Sequence, residues 1–307
     1  MCTPMPSKTP ATTIADDATA SNTGDWREET INGGSLRQVE LNGSNGWASP
    51  PGDRFTLRSK HYMNKKTKCP AGDYLLKPTA VDWLRSPTKL EHVLSRPDNR
   101  VMHVLKGYHA RGQFLKSFVF AINLQVPGRE YHSAVFYFST DEPIQPGSLL
   151  DRFINGDDAF RNSRLKMVNL IVKGPWLVKK AVGNYSACLL GKALTCRYHR
   201  GPNYLEIDVD LSSSKIAGAM VHLALGYVTS VSIDMGFLVE AQSEEELPEK
   251  LIGTVRICQM EMNSAAFVDS TSTASSNLVG VNVGKSGLAK VNHVDGESET
   301  SENNHVS

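Results

Sequence analysis

Cysteine is scarce in this 307-residue chain, and what there is does not pair. The five cysteines, Cys2, Cys69, Cys188, Cys196 and Cys258, are odd in number and contain no CxxC spacing. That argues against a disulfide framework or a zinc site and favours a reducing compartment, the cytoplasm. The first residues, MCTPMPSKTPATTIADDA, lack an apolar run of signal-peptide length. Asp16 and Asp17 come early and the first arginine is Arg27, against an organelle transit peptide. Cys2, where myristoylation would need glycine, excludes that anchor.

Aromatic residues are missing from both ends. Residues 1–44 hold one, Trp26, and residues 268–307 hold none. Such segments bury too little apolar surface to offset a backbone entropy loss of roughly 1–2 kcal/mol per residue. The expectation is a disordered N-terminal tail over 1–44, one folded domain over 45–267, and a disordered acidic tail over 268–307.

The folded block alternates short apolar runs with turn signals. Phe55–Arg58 reads as a half-buried strand, Tyr74–Trp83 is an apolar segment, and a helix is predicted from Pro87 to Ser95. Phe114–Val126 and Tyr131–Ser139 flank Pro127-Gly128-Arg129-Glu130, an antiparallel hairpin signature. Gly147–Phe160 reads as helical. Leu165–Val172, Trp176–Val182, Ala187–Tyr198 and Tyr204–Leu211 read as strands separated by glycine-containing turns. A long apolar helix over Ser213–Val231, a strand at Phe237–Ala241, a short acidic helix near Glu244–Lys250 and a strand at Gly253–Glu261 complete it. The expected fold is α+β, a large antiparallel sheet packed against a few helices, in a START-like helix-grip arrangement.

Ile216–Ile233 carries no formal charge over 18 residues, at the short limit for a membrane span. His222, Thr229, Ser230 and Ser232 interrupt it, and no Lys/Arg cluster marks a cytoplasmic side. Three readings stay open: a core helix on the sheet, one wall of an apolar ligand cavity, or a membrane-inserted segment. For the second, Ile216, Met220, Leu223 and Tyr227 are the expected wall.

Acid is absent between Ala159 and Leu205, while Arg161, Arg164, Lys166, Lys173, Lys179, Lys180, Lys192, Arg197 and Arg200 fall inside that stretch. A second acid-free run, Arg54 to Ala71, adds six more basic residues. The nine are the expected site for an anionic phospholipid surface or a protein partner, each cation near a charged bilayer contributing about 1 kcal/mol. The alternative is a set of solvated strand faces that keep the chain soluble or pair with the acidic tail. Nucleic acid is not the expected partner: Tyr185, Tyr198 and Tyr204 could stack on bases, but no RNA-binding motif surrounds them.

Catalytic signatures are missing. GxGxxG, GxSxG and HExxH do not occur, and Gly280–Ser286, GVNVGKS, is one residue short of a P-loop. Glu206, Asp208 and Asp210 alternate with apolar residues, which puts them on one strand face. They could hold a divalent cation; the favoured reading is a solvated face. Asp157-Asp158 reads as a turn or helix end. No catalytic residue, metal or cofactor is expected.

One resemblance is specific. Pro70-Ala71-Gly72 precedes Ala80-Val81-Asp82-Trp83-Leu84; AINLQVPG (121–128), VFYF (135–138), GSLLDRFINGDDAFRNSRLK (147–166), CLLGKAL (188–194), RGPNYLEIDVD (200–210) and EELPEKLIGTVR (245–256) follow. In this order the phrases resemble the C-terminal domain of the plant ENHANCED DISEASE RESISTANCE 2 proteins over about Gly46 to Ala266. The resemblance implies a non-enzymatic, membrane-associated regulator, peripheral on intracellular membranes, acting negatively on plant defence and cell death. In larger members the domain follows a pleckstrin-homology and a START domain; only about 45 residues precede it here, the pattern of a stand-alone member. A protein-interaction module without lipid, and a metal-dependent hydrolase or transferase using the Glu206 trio, are the alternatives.

Overall fold

The computed structural model describes residues 25–110, 117–183 and 185–269. The expected tails over 1–24 and 270–307, with the Gly280–Ser286 segment, lie outside the described residues.

Two six-stranded sheets share the core. The first has the order β1 (Arg37–Gln38), β2 (Gly46–Ala48), β13 (Leu251–Cys258), β12 (Ser232–Val239), β8 (Leu165–Lys173), β9 (Tyr185–Leu189). The second has the order β10 (Thr195–Arg200), β11 (Tyr204–Asp210), β6 (Phe118–Val126), β7 (Tyr131–Thr140), β5 (Lys77–Ser86), β14 (Ala266–Phe267). Most pairings are antiparallel, but β1–β2, β11–β6 and β14–β5 are parallel. The expectation of one large sheet in a helix grip is therefore corrected to two mixed sheets. The alternating Phe136 and Phe138 of β7 meet Phe237 of β12 across the interior, with ring centroids 5.8 and 6.0 Å apart. Gly253 of β13 makes room for this contact, since a Cβ there would fall 2.3 Å from the Phe138 ring.

Period-2 alternation gives the second sheet another buried face. Val119, Ala121, Val135 and Tyr137 point away from the shared core, onto α1 (Trp26–Asn32) and α3 (Arg100–Ala110). Trp26 is fully buried there. The expected tail boundary at residue 45 thus falls inside packed structure: α1 lies within residues 25–44, and Trp26, Thr30 and Leu36 of that stretch are buried. The outer face of the first sheet carries the hairpin of β3 (Thr56–Arg58) and β4 (Lys68–Pro70), joined by α2 (Tyr62–Lys65) and anchored by Phe55 and Leu57.

Several expected elements differ. Pro87–Ser95 is mostly irregular, with one 3-10 turn at Val93–Ser95, whereas α3 stands in a region with no predicted element. Its signal is in the sequence: Val101, Leu105 and Tyr108 share one helical face, and Met102 N donates to the Asn99 side chain at 2.9 Å. Gly147–Phe160 divides into α4 (Leu149–Asn155) and α5 (Asp158–Arg164), each capped by the residue before it, Ser148 and Asp157. Trp176–Val182 is a helix, α6, not a strand. Pro175 precedes it, and Val178 and Val182, four apart, turn to the interior. Ala187–Tyr198 is broken by α7 (Leu190–Ala193). The long apolar helix is α8 (Lys215–Gly226), twelve residues followed by a 3-10 turn at Val228–Ser230. The rest of that run enters β12, because an unbroken apolar stretch does not announce where helix ends and buried strand begins.

Candidate functional site

Two places gather the chemistry-bearing residues. The first is the helix-covered face of the second sheet. Register puts Glu206 and Asp208 of β11 on that face, beside Asn123 and Gln125 of β6. The expectation of a solvated strand face is corrected: Glu206 is 0% and Asp208 1% exposed. Glu206 accepts the backbone N–H groups of Val93 and Leu94 at 2.6 and 2.8 Å. Asp208 accepts the His92 N–H at 3.0 Å, Asn123 at 2.8 Å and His199 Nε2 at 2.9 Å. Asn123 and Gln125 also donate to the Leu90 carbonyl. Together they pin segment 90–94, where His92 takes φ +50 and stacks on His199 at 4.4 Å. Burial and the Asp208 carboxyl push Glu206 well above the usual carboxylate range. Burial and the facing His199 lower His92 against the pull of Asp208. Asp210 turns away to Lys89 at 2.6 Å. The three carboxylates do not converge, and among the described residues no cluster of His, Cys, Asp or Glu could hold a metal ion.

The nine expected basic residues divide into two groups. Arg161 is buried, donating to the Phe153 and Ile154 carbonyls at the end of α4 and pairing with Asp158. Arg164 bonds the Glu240 carbonyl and the Glu246 carboxylate. Lys166 is buried between Glu249 at 3.1 Å and Glu240 at 3.2 Å. These three are structural cations, which corrects their place in the expected binding surface: Arg161 meets Asp158 of its own helix, and the acids that Arg164 and Lys166 meet lie some 80 residues on, where the sequence hides the pairing. Among the described residues Lys173 reaches Gln259 alone, Lys180 lies 5.8 Å over the Trp176 ring, and Lys179 is half-buried. Lys192 and Arg200 are exposed, as is Arg197, which pairs with Glu91.

Lys179 and Lys180, with Lys173 at the end of β8 just before them, belong to the second place, the surface of α6 and α8, which pack on each other. Their inner faces roof an apolar cavity of about 160 Å³, to which α6 gives Val178 and Val182 and α8 gives Val221, Ala224 and Leu225. The expected wall, Ile216, Met220, Leu223 and Tyr227, is corrected. These residues repeat at three to four positions on the opposite side of α8, and Ile216 (71% exposed), Met220 and Tyr227 face out; Leu223 is half-buried and does not line the cavity. Trp176 is also 71% exposed, and Leu177 and Val172 lie open beside it. No residue of α8 is fully buried. Sequence reasoning missed Trp176 and Leu177 because the segment read as a strand. At twelve residues α8 cannot span a bilayer, and no helix among the described residues is long and apolar enough to do so. Cys69, Cys188, Cys196 and Cys258 are free thiols, and burial pushes Cys196 up to about 12.

Residues 47–261 match the family described as Protein ENHANCED DISEASE RESISTANCE 2, C-terminal. The chain belongs to this family. A curated Arabidopsis thaliana relative, Protein ENHANCED DISEASE RESISTANCE 2-like, is 46% identical over 234 residues. That alignment covers 76% of this chain and 31% of the relative, so the chain spans about a third of the relative's length. The matched region takes in both sheets' central strands, the buried carboxylates, α6 and α8.

Proposed function

We propose that the domain is a non-enzymatic regulator of plant defence that works peripherally at an anionic membrane surface, with α6 and α8 as the docking face. The observation carrying this is the surface of two helices that pack on each other: Trp176, Leu177, Ile216, Met220 and Tyr227 are each exposed, and Lys173, Lys179, Lys180 and Lys215 lie on or beside the same helices. No acidic residue lies in 159–205 or 211–233, the segments that build it. Large apolar side chains left exposed on neighbouring helices mark an interaction site. Tryptophan and snorkelling lysines suit the headgroup layer, where an apolar helix face sinks about 5–10 Å. The defence role rests on the family relation. The non-catalytic reading is supported by Glu206, Asp208 and Asp210, which are occupied by backbone N–H groups, His199 and Lys89 rather than directed at a common point.

Flotation with phosphoinositide-containing vesicles tests the reading. Binding at low salt that weakens as salt rises is expected; a folded protein that stays with the soluble fraction at physiological salt would sink it.

A further inference from the structure

The cavity under α6 and α8 is walled almost wholly by apolar side chains, among them Trp83, Leu124, Phe136, Val178, Val221 and Leu225. Protein interiors contain few voids larger than a water molecule, and apolar cavities of this size stay dry and accept benzene-sized molecules. About 160 Å³ therefore suits the last few carbons of a hydrocarbon chain, about six.

A second cleft, of mixed lining, adjoins it. That cleft is formed by the β6–β7 turn residues Pro127–Glu130 with His132, His222, Gly226 and Met262, and Leu225 belongs to both walls. Trp83, a cavity residue, stacks on His132 of the cleft with centroids 4.9 Å apart. Arg129 is exposed and without an ion pair among the described residues, whereas Glu130, the acid in the cleft, is engaged by Arg85 at 3.3 Å. An apolar hole beside a cleft that offers an unpaired guanidinium matches a molecule with one hydrocarbon chain and one anionic end.

We infer that the cavity and its adjoining cleft bind a single-chain anionic amphiphile, a fatty acid or lysophospholipid, with the chain in the cavity beside Trp83 and the anion at Arg129, next to His222. This rests on the membrane reading for its source of ligand, since the two roofing helices also carry the proposed docking face. Binding itself needs no membrane, so the two readings fail separately.

The test uses the full chain with Trp176→Phe, which removes the surface tryptophan, and 11-bromoundecanoate, whose terminal bromine quenches an indole it touches. Saturable quenching without vesicles is expected. Val221→Phe and Ala224→Leu, which fill the cavity, should each abolish it while flotation stays unchanged. Arg129→Glu should weaken the carboxylate probe at least about tenfold and the uncharged 11-bromoundecanol by no more than about twofold. No saturable quenching in folded protein, or quenching that survives both filled-cavity variants, overturns the chain site. Equal losses for acid and alcohol in Arg129→Glu overturn the assignment of the anion. If quenching holds but flotation of the native chain fails, the docking face falls and the amphiphile site stands.

Discussion

The acid-free basic run from Arg161 to Arg200 contains two physically different halves. Arg161, Arg164 and Lys166 are turned inward, hold helix-end carbonyls and carboxylates, and cannot meet an external anion. Lys173, Lys179 and Lys180 lie seven or more residues further on, on a surface of exposed tryptophan, leucine and isoleucine with no carboxylate in the segments that form it. Each stretch holds three cations and no acid; what differs is the carboxylates and carbonyls that the fold brings against the first. Charge segregation along a sequence therefore reports a surface only where no distant segment supplies the counter-ion.

If the halves differ this way, their substitutions should divide into stability and binding effects. The largest expected change is Lys166→Ala. It leaves the fully buried Glu249 side chain short of a cation, with the Arg58 guanidinium at 3.7 Å and the Arg58 backbone N–H at 3.0 Å as remaining partners. A loss of about 3 kcal/mol follows, measured by urea unfolding. A loss under about 1 kcal/mol would blur the comparison.

Next is the acid side of the same network. Burial alone would raise Glu246, but the Gln242 N–H, Arg164 and Arg152 overcome it and hold the carboxyl at about 2. A depressed native value means stability present above the ordinary value of 4.5 and lost as pH falls from there toward 2. The component is at most about 3 kcal/mol, and Glu246→Gln should lack it, giving a flatter stability profile across that window.

Lys179→Glu with Lys180→Glu should behave oppositely. Unfolding free energy should stay within about 0.5 kcal/mol of the parent. Vesicle affinity should drop at least about tenfold, since each cation contributes about 1 kcal/mol and reversal adds repulsion. The smallest expected effect is Trp176→Ser, a loss of about fivefold in vesicle binding that high salt does not mask, from withdrawing one aromatic anchor.

Much of the framework was legible in the sequence. The β6–β7 hairpin followed from alternation around Pro127-Gly128, and β8, β11 and β13 followed from apolar runs between turns. The parallel β11–β6 pairing was not, because it joins strands about 80 residues apart. Helix α6 was misread because seven residues rich in Trp, Leu and Val fit either period. For α8, composition identified an apolar helix but not its orientation. With apolar residues all round, nothing local says which side meets the core, and the side chosen as a cavity wall is the outer one. The Glu206–Asp208 pair was misjudged for a related reason. Alternation shows that two side chains share a face, while the cover over that face comes from residues 90–110, far away in sequence.

Amide hydrogen exchange on the full chain, with and without anionic vesicles, tests the division of the basic run most directly. Protection on vesicle binding should concentrate in 172–183 and 215–230, with 161–166 unchanged. Protection centred on 161–166 or on the β3–β4 hairpin, with α6 and α8 unaffected, would contradict it.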